Sequence, residues 1–106
     1  MSNEIYSIEQ IRNIIAPIAK QHGVQRIFLF GSYANGNATS NSDIDLCVDS
    51  SNLNSLFALG GLYADLEEAL KKSIDMVTES SLKYNTDVFF LENLRRDRLL
   101  IYDYAN

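Results

Sequence analysis

One stretch constrains the chain more than any other. A dense apolar run, Ile27-Phe28-Leu29-Phe30, stops abruptly at Gly31-Ser32, and ten residues later an alternating acidic segment begins at Asp43-Ile44-Asp45. A short apolar run bounded by turn residues reads as a largely buried strand. The second segment, 43–49, reads as a strand with two unlike faces. Ile44, Leu46 and Val48 fall on one side; Asp43, Asp45, Cys47 and Asp49 fall on the other. Between them, residues 31–42 are small and polar with glycines at 31 and 36, the composition of a loop that can hold one helical turn from Ser32. Such a loop is long enough to reverse the chain and lay the second strand beside the first.

The flanking segments supply helices and further strands. Ser7 with Gln10 forms a capping-box pattern, and Ile8, Ile11, Ile15 and Ile18 recur at helical spacing, so 7–22 is expected to be a helix closed by Gly23. Pro17 inside it predicts a kink or an early end. A second helix is expected over 53–72, with Leu56, Leu59, Tyr63, Leu66 and Leu70 as its apolar stripe. Gly60-Gly61 within it predicts a possible break, each glycine costing about 1 kcal/mol relative to Ala. Ser50, Ser51 and Asn52 are expected to end the second strand. Ile74–Thr78 reads as a third strand, 79–87 as a polar connection, 88–98 as a third helix and Leu100-Ile101-Tyr102 as a last short strand. The 106 residues fit one domain, 1–106, of the α/β class.

Composition removes several classes of function. With 14 acidic and 9 basic residues the formal net charge is -5, unfavourable for gripping nucleic acid through a general basic surface. No basic stretch leads into an apolar run at the start, and no apolar run approaches the ~18 residues of a membrane span, so neither a signal peptide nor a membrane segment is expected. One cysteine, Cys47, forms no internal disulfide and suits a reducing cytoplasm. One Cys and one His do not make a zinc site, which usually needs about four such ligands. His22 is read as the C-terminal residue of the first helix, where the helix dipole favours it.

The remaining chemistry gathers at Gly31-Ser32 and Asp43-x-Asp45. Carboxylates two apart on a strand share a face, and like charges ~4 Å apart repel by about 4 kcal/mol at an effective dielectric of ~20. Protonation of one carboxylate offsets that repulsion; so does a bound Mg²⁺, which takes hard oxygen ligands at neutral pH. Carboxylates that bridge metal ions position a nucleotide triphosphate for in-line phosphoryl transfer. A glycine at the end of a buried strand lets backbone approach a ligand, and the next amide and the Ser32 hydroxyl can donate to phosphate oxygens. Asp75, a charge within Ile74-Asp75-Met76-Val77, is the third candidate. If its strand lies beside the second, it projects from the same face as Asp43 and Asp45, where it can bind metal and accept a hydroxyl proton.

The string GSYANGNATSNSDIDLCVD resembles the signature of the nucleotidyltransferase superfamily typified by DNA polymerase β: Gly-Ser, ten residues, then Asp-x-Asp. IDMVT resembles the strand that carries its third carboxylate. The short chain and the ending LLIYD resemble the minimal nucleotidyltransferases, the antitoxin halves of two-gene modules whose toxin is a HEPN-domain RNase. The resemblance spans roughly residues 24–102. It implies the polymerase-β-like fold, a small mixed β-sheet with helices packed on one face, and transfer of AMP from ATP to a tyrosine hydroxyl of the toxin with Mg²⁺. Carried over by position, Gly31 and Ser32 bind the triphosphate, Asp43 and Asp45 hold the metals, and Asp75 completes the triad. One position departs: where many relatives carry a basic residue before the second glycine of the loop, this chain has Asn35, and 31–42 contains no Lys or Arg. Phosphate charge is then left to metal, backbone amides or a base from elsewhere, with Arg26, Lys71, Lys72, Arg95, Arg96 and Arg98 as candidates.

Plainer readings stand beside these. Asp-x-Asp alone fits any strand with a solvated side, and Asp75 alone fits a strand-edge acid. Asp49 lies ~20 Å from Asp43 at strand rise and reads as solvated. Tyr33 either stacks on adenine or covers the sheet. Cys47 reads as a small residue beside the site, with nothing near to lower its pKa. Arg95, Arg96 and Arg98 read as a polar helix end or a partner-binding patch. Two alternatives to protein adenylylation remain open: a non-catalytic antitoxin that masks its toxin, and nucleotidyl transfer to a small-molecule acceptor.

Overall fold

The computed structural model describes residues 4–51, 53 and 55–105. Its elements are α1 (Ile8–Gln21), β1 (Arg26–Phe30), α2 (Gly31–Asn35), β2 (Ile44–Asp49), α3 (Leu56–Leu70), β3 (Ile74–Thr78), a 3-10 turn (Glu79–Tyr84), α4 (Val88–Asp97) and β4 (Leu99–Asp103). The strands form one mixed sheet in the order β3-β2-β1-β4. β2 and β4 flank β1 antiparallel, and β3 runs parallel to β2. Asn52 and Asn54, within the expected end of β2 and start of α3, lie outside the described residues.

α1 starts where its capping box dictates: the Ser7 hydroxyl accepts from the Gln10 amide and the Gln10 side chain accepts from the Ser7 amide. Pro17 neither ends nor splits it. Pro17 and Asn13, whose carbonyl would have received the missing N–H, both lie on the exposed side, where that carbonyl is open to solvent. The apolar side, Ile11, Ile15 and Ala19, is completely buried.

α3 differs from expectation in two respects. It is continuous through Gly60-Gly61, and of the expected stripe Leu66 and Leu70 are buried and Leu59 packs on the core, but Leu62 takes the inner position in place of Leu56 and Tyr63. Leu56 is almost wholly exposed and Tyr63 faces outward, whereas Leu53, outside the helix, is buried. Three leucines at i, i+4 and i+8 bury more apolar area than two glycines lose in helix propensity, because each fully buried leucine contributes about 1.5–3 kcal/mol. α1 and α3 are also joined by polar contacts: Tyr6 Oη donates to the Leu70 carbonyl at 2.7 Å, and His22 Nε2 meets Asp65 Oδ2 at 2.7 Å. His22 is thus the C-cap of α1, as expected, and a link to α3 besides.

These two helices cover one face of the sheet, packing on Ile27, Leu29, Ile44, Leu46 and Val48. The opposite face is not bare. α4 and the 3-10 turn place Leu94 and Leu82 against Cys47, with Phe28, Phe30 and Val77 around them. The expectation of helices on one face therefore holds for α1 and α3, while the last helix crosses to the other side. Cys47, expected on the polar face beside the site, is fully buried in this second cluster. Burial first, and then its hydrogen bond to Glu79, pushes its thiol up to about 12.

Candidate active site

β1 ends because the chain turns away at Gly31, which has φ +71°. A Cβ at that position would lie 2.1 Å from Asp45 Oδ2, so a glycine is needed both for the left-handed backbone and for the carboxylate beside it. Asp45 is the cross-strand partner of Phe30 and the in-register neighbour of Asp75. The end of β1, the start of β2 and the start of β3 consequently meet at one border of the sheet. Gly31, Asp45 and Asp75 line a cavity of about 540 Å³ there, together with Phe30, Asn35, Phe90, Asn93, Leu94, Arg96 and Asp97.

α4 supplies the facing wall. The buried Leu94 anchors it, and the rings of Phe30 and Phe90 meet edge to face with centroids 6.4 Å apart. Of the residues singled out in the sequence, Gly31, Asp45 and Asp75 come together in the cavity. Asp43 is exposed one residue before β2, and Ser32 is half-buried at the start of α2; neither lines the cavity wall. Asp75 carries no desolvation burden of the kind an apolar strand suggests, because β3 is an edge strand and the side chain is exposed. Tyr33 is buried in the main core, which favours the sheet-covering reading, and burial raises its phenol pKa.

The carboxylates influence one another. Asp45 is half-buried, and desolvation, followed by the charges of Asp75 and Asp43, pushes its carboxyl up to about 6. Among the described residues no three acidic, His or Cys side chains are grouped so that they could hold a metal ion by themselves. Mg²⁺ does not require such a group: it keeps several waters and is typically held by one or two carboxylates plus substrate phosphates. A carboxylate raised by burial first and by its acidic neighbours next, set against a glycine cradle, fits a hard divalent cation.

The basic residues sort clearly. Arg26 pairs with Asp49 at the other end of β1. Arg98 pairs with Glu79 at 2.6 Å and stacks on Phe28 with its guanidinium 3.9 Å from the ring centroid. Lys72 is buried, with Nζ donating to the Ser40 carbonyl at 3.3 Å. Arg96 alone of the six lines the cavity. The sequence offered Arg95 and Arg96 of α4 among six candidate phosphate bases but did not place the helix or single out Arg96. The apolar pair Phe90 and Leu94 at i, i+4 shows that α4 packs on something but not on which face.

The fold and the acidic border of the sheet define a nucleotidyltransferase. The chain matches the family model described as "Polymerase beta, Nucleotidyltransferase" over residues 12–105 and belongs to that family. A Methanocaldococcus jannaschii protein assigned as a protein adenylyltransferase is 41% identical over 76 residues, covering 72% of this chain and 82% of that protein. The protein adenylyltransferase MntA of Thermococcus cleftensis is 37% identical over 81 residues, covering 73% and 82%. Among solved structures, a complex of tri-AMPylated Shewanella oneidensis HEPN toxin with its MNT antitoxin matches with a TM-score of 0.65 at 21% identity, covering 92% of this chain and 74% of that one, a likeness of fold. Among the described residues, no helix is long and apolar enough to cross a membrane.

Proposed function

We propose that residues 1–106 form one catalytic domain, a Mg²⁺-dependent nucleotidyltransferase that transfers AMP from ATP to a tyrosine hydroxyl of a HEPN-type toxin and so acts as its antitoxin. The observation that carries this reading is the juxtaposition of Asp45 with Asp75 across β2 and β3, beside the cradle of Gly31. The relatives' names support the reaction class, and the modified toxin bound to the structural neighbour supports the acceptor class.

In this mechanism Asp45 and Asp75, with Asp43 two residues before Asp45, would hold Mg²⁺ together with the substrate phosphates, and Gly31 and Ser32 would bind the triphosphate through the backbone and the Ser32 hydroxyl. When bound, Mg²⁺ supplies charge neutralisation for the carboxylates and phosphate oxygens. The acceptor oxygen bonds to the α-phosphorus as the bond to the pyrophosphate oxygen breaks. The Asp75 carboxylate, exposed at the mouth, accepts the hydroxyl proton. Gly31 keeps Asp45 in place by leaving it room. The open mouth suits an acceptor side chain presented by another protein.

Incubation with Mg²⁺, α-labelled ATP and a HEPN-type toxin tests the proposal. Label should appear on the partner and disappear with Asp43→Ala or Asp45→Ala. If those variants neutralise the toxin as well as the unmodified chain and no label moves, the protein acts by masking.

A further inference from the structure

The phosphate-binding loop of this chain contains no basic residue, and Asn35, which lines the cavity, offers amide hydrogens but no charge. A nucleotide triphosphate is a polyanion and here would enter a cavity already lined by Asp45, Asp75 and Asp97. Mg²⁺ answers the carboxylates and part of the triphosphate. A cation of the protein's own is still needed where the phosphates extend beyond the metal, because charge-assisted contacts to phosphate are the strong ones. Resting on the reading above, we infer that Arg96 of α4 supplies it and binds the β- and γ-phosphates from the wall opposite Asp45 and Asp75.

Three observations support this assignment. Arg96 is the one Lys or Arg among the described residues that lines the cavity. Its side chain is 69% exposed, so it can meet a ligand without breaking a packed contact. It is also held in place: Nη2 donates to Asn93 Oδ1 at 2.7 Å and Nε donates to Asp97 Oδ1 at 3.1 Å. Asn93 and Asp97 line the same cavity, so the contacts that hold the guanidinium keep it at the wall. An exposed ion pair with the adjacent residue is worth about 0–1 kcal/mol and is easily exchanged for phosphate. Arg26 and Arg98 pair with carboxylates away from the cavity and do not line it. A guanidinium donates through two parallel N–H groups to phosphate oxygens, which gives geometric selection as well as charge. The base missing from the loop is therefore replaced from across the cavity, on a helix that follows it by some sixty residues in sequence.

Equilibrium binding of ATP and of AMP in the presence of Mg²⁺ tests the inference on the full chain, without requiring transfer. Arg96→Ala should weaken ATP about tenfold or more while leaving AMP within twofold, and Arg96→Lys, which keeps a point charge, should fall between. ATP affinity unchanged in Arg96→Ala, equal losses for ATP and AMP, or a Lys variant as weak as Ala each overturns the assignment. Unmodified chain that binds ATP and labels its partner while Arg96→Ala binds ATP equally well defeats this inference and spares the nucleotidyltransferase reading. Unmodified chain that binds no nucleotide defeats both.

Discussion

Asp45 ties the stability of the metal-free protein to its chemistry. Its carboxyl is raised from 3.8 to about 6, by burial first and by Asp75 and Asp43 next. A shift of roughly 2 pK units corresponds to about 3 kcal/mol at ~1.36 kcal/mol per unit. The side chain is only half-buried, and solvent screening reduces that to about 1–2 kcal/mol. A folded-state pKa above the unfolded value means that the group's stabilising contribution is complete when it is protonated, below 3.8, and is lost as pH rises through about 6. Asp45→Asn removes the charge and keeps the shape. In metal-free buffer at pH 8 the variant should therefore be more stable than the unmodified chain by about 1–2 kcal/mol, or roughly 4–8 °C per kcal/mol in melting temperature for a domain of this size. The gap should narrow through pH 6 and close by about pH 4. Added Mg²⁺ should raise the melting temperature of the unmodified protein and leave the variant unchanged. Thermal unfolding followed by circular dichroism at several pH values reads all of this. An Asn variant that melts lower at pH 8, or a gap of the same size at pH 4 and pH 8, refutes the reasoning.

Two further outcomes follow from the same geometry. Gly31→Ala forces a side chain into the left-handed region, at about 1–2 kcal/mol, and its Cβ displaces the Asp45 carboxylate; the variant should fold, with a slightly lower urea midpoint, and lose Mg²⁺-dependent nucleotide binding, and full binding would show that the cradle does not matter. Cys47 is buried and its thiol is pushed up to about 12, so a thiol reagent at pH 8 should modify it only at the rate of unfolding, a rate that rises with denaturant.

Local patterns were legible in the sequence wherever the physics is local. The capping box of α1 needs only Ser7 and Gln10, and the strand alternation of 43–49 needs only neighbouring residues. The Gly-Ser and Asp-x-Asp spacing likewise pointed to Gly31 and Asp45, two of the residues that line the cavity. Misreadings arose where packing at a distance decides. The stripe of α3 runs through Leu62 because that side meets the core shared with α1 and the sheet, and periodicity alone admits the neighbouring stripe through Leu56 and Tyr63 just as well. Asp75 reads as a costly charge in an apolar strand until β3 proves to be an edge.

What the sequence determined by itself was the set of strands and helices and the pairing of a phosphate-type turn with two carboxylates. These depend on residue types at fixed short spacings, which the backbone translates directly into direction. Tertiary structure alone decided that β3 lies parallel to β2, bringing Asp75 level with Asp45, and that α4 crosses to the second face of the sheet, bringing Arg96 to the cavity. Both depend on contacts between segments some thirty to sixty residues apart in sequence. Such contacts are chosen by the burial of whole faces against one another, and no local spacing encodes that choice.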